Sequence, residues 1–312
     1  MAVLGATGTV GRALVERAST HRPVRAVAFS SLAQKARRRG NLPEGHDLVW
    51  HQADLMSLAD AEVSMAGVDT AVMLARAPRH NESDTSLAAA DLLLADTVAR
   101  AAARCGVRHV VLFSCQDAPD VREELFARAG VSTSILVGGG SDPVSVLIEL
   151  VESTTPQRRE EVRWQGPPTQ HRSSSSLATS IQSFERKPGR TAAELAAAYF
   201  RWLSNEVPLT TVRRCGQVYS IEVARLHVLS LRHVPGRSEP DSDVFAVSGG
   251  ALASGDGGGY LEFRNLIDER TSMVIVRGFR PALPAPLYGF AHAPVHEKLM
   301  LQFVDWLGRF ES

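Results

Sequence analysis

A glycine-rich turn near the start of the chain is the sequence feature that most constrains the fold. It reads Gly5-Ala6-Thr7-Gly8-Thr9-Val10-Gly11, follows a short apolar run and precedes a helical pattern that extends to Ala18. In such a turn the first glycine permits a tight bend, the second lets backbone approach a ligand, and the third allows close helix packing. Because free amides at a helix N-terminus bind anions, the turn predicts a site for the diphosphate of a dinucleotide. A tight turn without a ligand is the alternative.

Short β-branched runs alternate with alanine-rich helical stretches from Met1 to Val137. This alternation is typical of right-handed βαβ crossovers, which build a parallel sheet with helices on both faces. The predicted strands are Met1–Leu4, Val24–Phe29, Leu48–Gln52, Thr70–Ala75, Val110–Ser114 and Ser134–Val137. The predicted helices between them are Val10–Ala18, Ala59–Ala66, Ser86–Cys105 and Val121–Ala129. We therefore expect an α/β domain with a doubly wound parallel sheet over residues 1–189.

The second part of the chain has a different pattern. Residues 153–189 hold several prolines and a serine run and are expected to be partly loop. A helix is predicted from Arg190 to Trp202, where Thr191 and Glu194 have the spacing of a capping box. The later β-rich segments are Thr210–Arg213, Val218–Leu231, Asp243–Val247, Tyr260–Ile267 and Thr271–Phe279, and a mostly helical segment at Ala285–Phe310 follows them. We expect residues 190–312 to form an α+β domain, an antiparallel sheet covered by a long helix, that serves as a hydrophobic-ligand or docking module.

Composition and charge exclude several classes of protein. The 34 lysines and arginines balance 34 aspartates and glutamates, so no positive surplus exists for binding nucleic acid. No apolar run approaches the roughly 20 residues that cross a bilayer, and the start of the chain lacks a signal-peptide pattern. The three cysteines contain no CxxC pair, which argues against a disulfide framework or a zinc site. We expect a cytoplasmic protein that binds no metal, nucleic acid or membrane.

The choice of nucleotide depends on the end of the second predicted strand. An acid there would bind the ribose 2′-hydroxyl of NAD, and an arginine would bind the 2′-phosphate of NADP. Phe29 and Ser30 occupy this position and offer neither. Arg12 and the basic segment at residues 35–39 can supply positive charge instead. The sequence therefore favours NADP over NAD and leaves NAD open.

The chain resembles the extended and atypical short-chain dehydrogenase/reductases, in particular their NmrA-like, NAD(P)H-binding branch with a C-terminal extension. The GxxGxxG spacing of the turn carries this resemblance, and four later segments agree with it. They are Asp54-Leu55 after the third strand, Gly67-Val68-Asp69-Thr70-Ala71-Val72, Ala102 to Val111, and, more loosely, Arg163 to Gln170. The resemblance implies a Rossmann fold with NADP or NAD as cofactor, a small-molecule substrate, and a homodimer paired through helices.

The resemblance also implies roles for particular residues. The amides of Thr7 to Val10 would hold the pyrophosphate, with Asp54 and Leu55 beside the adenine. The segment Leu74, Ala75 and Arg76 would run under the ribose on the nicotinamide side. Ser114, at the end of the fifth strand, matches the family serine that polarises a carbonyl or hydroxyl of the substrate.

One departure from the family bears directly on catalysis. The short-chain dehydrogenases use a Tyr, with a Lys four residues later, as general acid and base, and no YxxxK occurs in this chain. Hydride transfer to a carbonyl needs a proton donor within hydrogen-bond reach. Asp117, His171 or a hydroxyl of the substrate is expected to fill this role, with Ser114 polarising the reacting oxygen.

Three functions are consistent with these features. The first is an NAD(P)-dependent oxidoreductase of the atypical short-chain type that acts on a small hydrophobic metabolite. The second is a non-catalytic, NmrA-like dinucleotide sensor, which the missing Tyr and Lys favour. The third is a redox-neutral enzyme, such as a cyclase, isomerase or dehydratase, that keeps the fold without the hydride step.

Overall fold

The computed structural model describes residues 1–28, 47–77, 84–114, 121–138, 142–153, 156–160, 178–253, 259–279 and 293–309. The chain divides into two compact units. The first comprises Met1–Arg79 and Ala90–Ser173, and the second comprises His80–Ala89 and Ser174–Ser312. Four of the predicted site residues, Phe29, Ser30, Asp117 and His171, lie outside the described ranges.

The first unit contains a parallel sheet of seven described strands. They are β1 (Ala2–Leu4), β2 (Val24–Ala28), β3 (Leu48–Gln52), β4 (Thr70–Met73), β5 (His109–Ser114), β6 (Ser132–Val137) and β7 (Arg158–Glu160). The sheet has the order β3-β2-β1-β4-β5-β6-β7, and every neighbouring pair is parallel. This order is that of a doubly wound α/β sheet, so the predicted fold class is confirmed.

Helices connect these strands. They are α1 (Thr9–Ala18), α2 (Leu58–Met65), α3 (Asp84–Arg104), α4 (Val121–Arg128) and α5 (Pro143–Glu152). The central strand β1 is only three residues long, yet its side chains are fully buried and it pairs with β2 on one side and β4 on the other. Helix α5 was not predicted, although Asp142 caps it by accepting a hydrogen bond from the Ser145 amide and Pro143 begins it.

The second unit contains an antiparallel sheet of seven described strands. They are β8 (Ala178–Glu185), β9 (Thr210–Cys215), β10 (Val218–Val223), β11 (Leu226–His233), β12 (Ser242–Gly249), β13 (Tyr260–Asn265) and β14 (Thr271–Phe279). Their order is β8-β14-β13-β12-β11-β10-β9. Among the described residues, the α-helices that lie wholly within this unit are α6 (Ala192–Glu206) and α7 (Ala293–Arg309). The predicted α+β architecture is confirmed, and α6 begins with the predicted capping box of Thr191 and Glu194.

Two expectations about this second unit are corrected by the structure. Strand β8 pairs with β14, so the antiparallel sheet begins before the predicted boundary at residue 190. The sequence pattern does not predict this edge strand, because it is rich in serine and threonine and its only large apolar residues are Ile181 and Phe184. The single run predicted from Val218 to Leu231 is two strands joined at Ala224 and Arg225, whose φ angles are 50° and 68°. Neither residue type signals such a turn, which usually takes Asn or Gly.

Aromatic side chains fill the space between the second sheet and its helices. The ring of Phe303 on α7 lies 5.2 Å from Tyr199 and 5.4 Å from Trp202, both on α6, and 6.3 Å from Phe184 on β8. Phe263 and Phe245 extend the same cluster on the sheet. Where the structure describes it, this core is packed with side chains, which gives the predicted ligand-binding role of the domain no support.

None of the described helices has the length and apolar character needed to cross a bilayer. Within the same described ranges, no three His, Cys, Asp or Glu side chains are grouped so that they could hold a metal ion.

Replacing Phe303 by alanine should destabilise the second unit. Phe303 is fully buried, so we expect Phe303→Ala to lower the free energy of unfolding by about 3–5 kcal/mol through lost contacts and a cavity. Chemical denaturation followed by tryptophan fluorescence measures this, since Trp202 and Trp306 both contact Phe303. Leu301 on the same helix is 65% exposed, and Leu301→Ala is the control. Equal losses in the two variants would contradict the described packing of α7.

His109 should make the stability of the protein depend on pH. Burial lowers the pKa of this imidazole, and its Nε2 has no hydrogen-bond partner among the described residues. The folded protein therefore keeps His109 neutral at a pH where the unfolded chain, with a histidine pKa of about 6.5, takes up a proton. This contribution to stability is complete above that value and is lost as the pH falls through the lower, folded pKa.

Urea denaturation at several pH values checks this linkage. Wild-type protein should lose more stability between pH 8 and pH 5 than the His109→Gln variant, whose side chain does not titrate. Identical pH profiles would show that His109 is not held neutral by the fold.

Candidate functional site

The carboxyl ends of the parallel strands meet at one edge of the first sheet. Strand order reverses between β1 and β4, which are neighbours in the sheet although β2 and β3 lie between them in sequence. Ligands of doubly wound sheets bind in the crevice outside such a reversal point. The glycine-rich turn follows β1, Asp54 follows β3, Leu74 follows β4, and Ser114 ends β5. The structure therefore places these predicted site residues along one edge.

The three glycines of the turn have different structural roles. Gly5 has a φ angle of 95°, and a Cβ there would lie 2.7 Å from the Ala75 amide nitrogen. A Cβ on Gly11 would lie 2.4 Å from the carbonyl oxygen of Gly5. A Cβ on Gly8 would meet only that same oxygen, at an ordinary 3.6 Å. Gly5 and Gly11 are therefore needed for the fold, whereas the position of Gly8 leaves open space beside the backbone.

Backbone hydrogen bonds hold the turn but leave its helix end open. The amides of Gly5 and Ala6 both donate to the carbonyl of Val27, at 2.9 and 3.0 Å. Helix α1 has Gly8 as its N-cap, no capping side chain and no acidic residue in its first turn. The amides without an acceptor among the described residues are those of Thr7, Thr9, Val10 and Gly11. Open donors at the positive end of a helix dipole fit the diphosphate of a dinucleotide.

Asp54 holds the loop between β3 and α2. Its carboxylate accepts a hydrogen bond from the Met56 amide at 3.1 Å, and its own amide donates to the Asp60 carboxylate at 2.9 Å. The neighbouring Leu55 side chain is fully buried. The position of Asp54 at the sheet edge agrees with the predicted adenine-side role, and the contact itself stays a prediction.

The loop after β4 lies directly against the glycine-rich turn. The Leu74 amide donates to the Leu4 carbonyl at 2.9 Å, which continues the pairing of the two central strands. Ala75 is buried beside Gly5, and the exposed Arg76 lies 3.6 Å from the carboxylate of Asp91 on α3. The same carboxylate accepts a hydrogen bond from the Ala77 amide at 2.7 Å. The sequence analysis missed Asp91, because a single acid within an alanine-rich helix carries no motif.

Ser114 lies on the same edge as this loop. In the register of β4 and β5, Met73 pairs with Leu112, so Ser114 is level with the residues that follow β4. Ser114 is only 5% exposed, and its carbonyl accepts a hydrogen bond from the Gly138 amide at 2.7 Å. Ser114 therefore occupies a position suited to an oxygen-polarising group. Of the other predicted site residues, Arg12 lies in the first turns of α1 and is partly exposed.

The described tyrosines belong to the second unit and are engaged there. Burial raises the pKa of Tyr199 to about 12, and its ring lies within the aromatic core. Tyr219 stacks on Phe200 with ring centroids 4.4 Å apart. Tyr260 lies under the guanidinium group of Arg237. Tyr199 therefore does not have the environment of a general acid whose pKa is tuned to neutral pH.

The sequence analysis also missed a polar cluster in the second unit, formed by His233, Ser238 and Asp243. His233 Nε2 lies 2.7 Å from an Asp243 carboxylate oxygen and 3.3 Å from the Ser238 hydroxyl. Both partners contact the same ring nitrogen, so the three residues cannot relay a proton from serine through histidine to aspartate. The Ser238 hydroxyl also donates to the Val234 carbonyl and accepts from the Val244 amide, which indicates a structural role.

The strand order, the turn and its open amides together define a doubly wound, dinucleotide-binding type of α/β domain. Residues 5–134 match the model of a protein family described as NAD(P)H-binding. This match confirms the predicted cofactor, NADP or NAD. No curated protein sequence matches the chain at a significant level.

Several solved structures resemble part of the chain. The Bordetella bronchiseptica enzyme WbmH in complex with NAD+ is 12% identical, with a TM-score of 0.40 over 51% of this chain and 74% of that one. The NADPH-dependent quinone oxidoreductase QOR2 from Escherichia coli, with NADPH, is 19% identical, with a TM-score of 0.33 over 44% and 48% of the two chains. The Citrobacter sp. triphenylmethane reductase with NADP(H) is also 19% identical, with a TM-score of 0.33 over 45% and 49%.

Two glycine substitutions should separate ligand binding from folding. Gly8→Ala adds a methyl group beside the open amides without a steric clash, so we expect near-normal thermal stability and at least about tenfold weaker NADPH binding. Gly11→Ala drives a Cβ into the Gly5 carbonyl and should destabilise the fold by about 1–3 kcal/mol. Thermal melts and isothermal titration with NADPH measure both effects. Undiminished NADPH affinity in a folded Gly8→Ala variant would contradict the proposed binding of the diphosphate by these amides.

Proposed function

We propose that the protein is an NAD(P)-dependent oxidoreductase of the atypical short-chain type that acts on a small hydrophobic metabolite. The observation that carries this proposal is the open N-terminus of α1, which follows β1 at the point where the strand order reverses. The NAD(P)H-binding family match over residues 5–134 supports it. When bound, the nicotinamide ring of the cofactor supplies or accepts the hydride.

The residues around the crevice then have complementary tasks. The amides of the glycine-rich turn bind the diphosphate, and the loop from Leu74 to Ala77 borders the adjoining part of the cofactor site. Ser114 polarises the oxygen of the substrate by donating a hydrogen bond, in a position from which bulk water is largely excluded. The basic side chain of Arg12, near the turn, favours the additional phosphate of NADP.

The proton for this reaction comes from a group other than tyrosine in the proposed mechanism. No YxxxK occurs in the sequence, and burial raises the pKa of Tyr199 far above neutrality. Asp117, His171 or a hydroxyl of the substrate therefore donates the proton that a newly formed alkoxide requires.

A dinucleotide sensor is the second candidate. A sensor needs the same dinucleotide-binding turn but no general acid or base. The missing YxxxK and the packing of Tyr199 and Tyr219 into the aromatic core therefore favour it. A sensor would report the bound nucleotide to a protein partner. A measurement of hydride transfer distinguishes the sensor from the oxidoreductase, because only the oxidoreductase transfers hydride.

The balanced charge and the three cysteines without a CxxC pair support a cytoplasmic location, as part of the same proposal. Pairing of two copies through helices is the oligomeric state that we propose.

Titration with NADPH and NADH tests the nucleotide part of this proposal. We expect binding of both, with the tighter affinity for NADPH, measured by calorimetry. Failure of the wild-type protein to bind either nucleotide would exclude both the oxidoreductase and the sensor.

Anaerobic oxidation of NADPH with a panel of quinones, aldehydes and ketones tests the chemical step. The Ser114→Ala variant should lower kcat by about a hundredfold with an unchanged dissociation constant for NADPH, because it removes a donor that acts in the transition state. Ser132→Ala, which changes a serine at the opposite edge of the same sheet, is the control and should have no such effect. Nucleotide binding without hydride transfer to any acceptor would exclude the oxidoreductase and leave the sensor and the redox-neutral enzyme.

A further inference from the structure

Asp91 makes two contacts with the loop that follows β4. One carboxylate oxygen accepts a hydrogen bond from the Ala77 amide at 2.7 Å, and the other lies 3.6 Å from an Arg76 guanidinium nitrogen. Helix α3 thus contacts the loop after β4 through the side chain of Asp91. The Ala77 residue is 8% exposed, so this hydrogen bond satisfies an amide that has little access to water.

The opposite side of the same loop is held by the glycine-rich turn. The Leu74 amide donates to the Leu4 carbonyl, and the backbone of Ala75 occupies the space that a side chain on Gly5 would need. The loop is therefore fixed between β1 on one side and Asp91 on the other. Of these contacts among the described residues, the one made by Asp91 comes from a side chain, so a substitution can remove it and leave the turn intact.

The two contacts of Asp91 differ in their strength. The pair with Arg76 is long, and the two side chains are 35% and 46% exposed, so solvent screens most of its energy. The bond to the Ala77 amide is short and involves a charged acceptor, which makes it the stronger contact. The backbone anchor, and not the ion pair, is therefore the contact that orders the loop.

We propose that Asp91 is a positioning residue for the cofactor crevice, because it holds the segment from Leu74 to Ala77 against the glycine-rich turn before any nucleotide binds. This inference rests on the proposed function, since it assigns the ordered loop to the dinucleotide site. If the loop is already ordered in the free protein, the entropy cost of ordering it does not reduce the free energy of nucleotide binding. Removing the anchor weakens nucleotide binding without altering any residue of the turn.

Three variants test this proposal. Asp91→Ala removes the acceptor of the Ala77 amide, whereas Asp91→Asn keeps an acceptor oxygen and loses only the charge. The matched control is Glu62→Ala, which breaks the ion pair of Glu62 with Arg104 near the far end of the same helix. That pair has similar exposures, 34% and 42%, and lies at the other edge of the sheet.

Amide hydrogen exchange without nucleotide is the first measurement. The Ala77 amide should exchange fastest in Asp91→Ala, at an intermediate rate in Asp91→Asn because its acceptor is uncharged, and at the wild-type rate in Glu62→Ala. Calorimetric titration with NADPH is the second measurement. Asp91→Ala should bind about tenfold more weakly, while Asp91→Asn and Glu62→Ala should stay within about threefold of wild type.

Wild-type affinity in Asp91→Ala would overturn the inference and leave the proposed function intact. An equal loss of affinity in Asp91→Ala and Glu62→Ala would also overturn it, since the effect would then be one of general stability. Absence of NADPH binding by the wild-type protein would instead refute the proposed function, and the inference with it.

Discussion

Close contact between three backbone segments is the constraint on which the nucleotide-binding half of this protein depends. The carbonyl of Gly5 faces the Cα of Gly11, and the amide of Ala75 lies where a Gly5 side chain would stand. Only residues without a Cβ allow the start of α1, the end of β1 and the loop after β4 to meet this closely. The first amides of α1, which belong to the same turn, have no acceptors among the described residues. The close packing of the turn and the proposed anion-binding site therefore involve the same short segment.

Much of this half could be predicted from local sequence. The apolar run Val110–Ser114 corresponds to β5 with its bounds correct to one residue, because a parallel strand covered on both faces needs apolar residues along most of its length. The glycine spacing identifies the turn because Gly5 and Gly11 each meet a steric requirement that a residue with a Cβ does not satisfy. By contrast, the anchor at Asp91 depends on a tertiary contact between helix α3 and a loop fourteen positions earlier in the sequence. No local sequence pattern predicts such a tertiary contact.

The second half shows where local reasoning fails. The capping box of Thr191 and Glu194 could be predicted, because its hydrogen bonds connect residues three positions apart. Strand β8 could not, since it is polar and owes its conformation to pairing with β14, about ninety residues later in the chain. The turn at Ala224 and Arg225 adopts positive φ angles that its residue types disfavour, so the pairing of β10 with β11 determines it. Long-range pairing thus overrides local preference in both cases.

The central claim is that main-chain amides at the start of α1 bind the diphosphate of a nicotinamide dinucleotide. Difference electron density from a crystal soaked with NADPH tests it most directly. The account predicts diphosphate oxygens at about 2.7–3.2 Å from the amide nitrogens of Thr9 and Val10, with the Gly5–Gly11 contact unchanged. A nucleotide bound elsewhere, or amides that turn to acceptors within the protein, would contradict the claim.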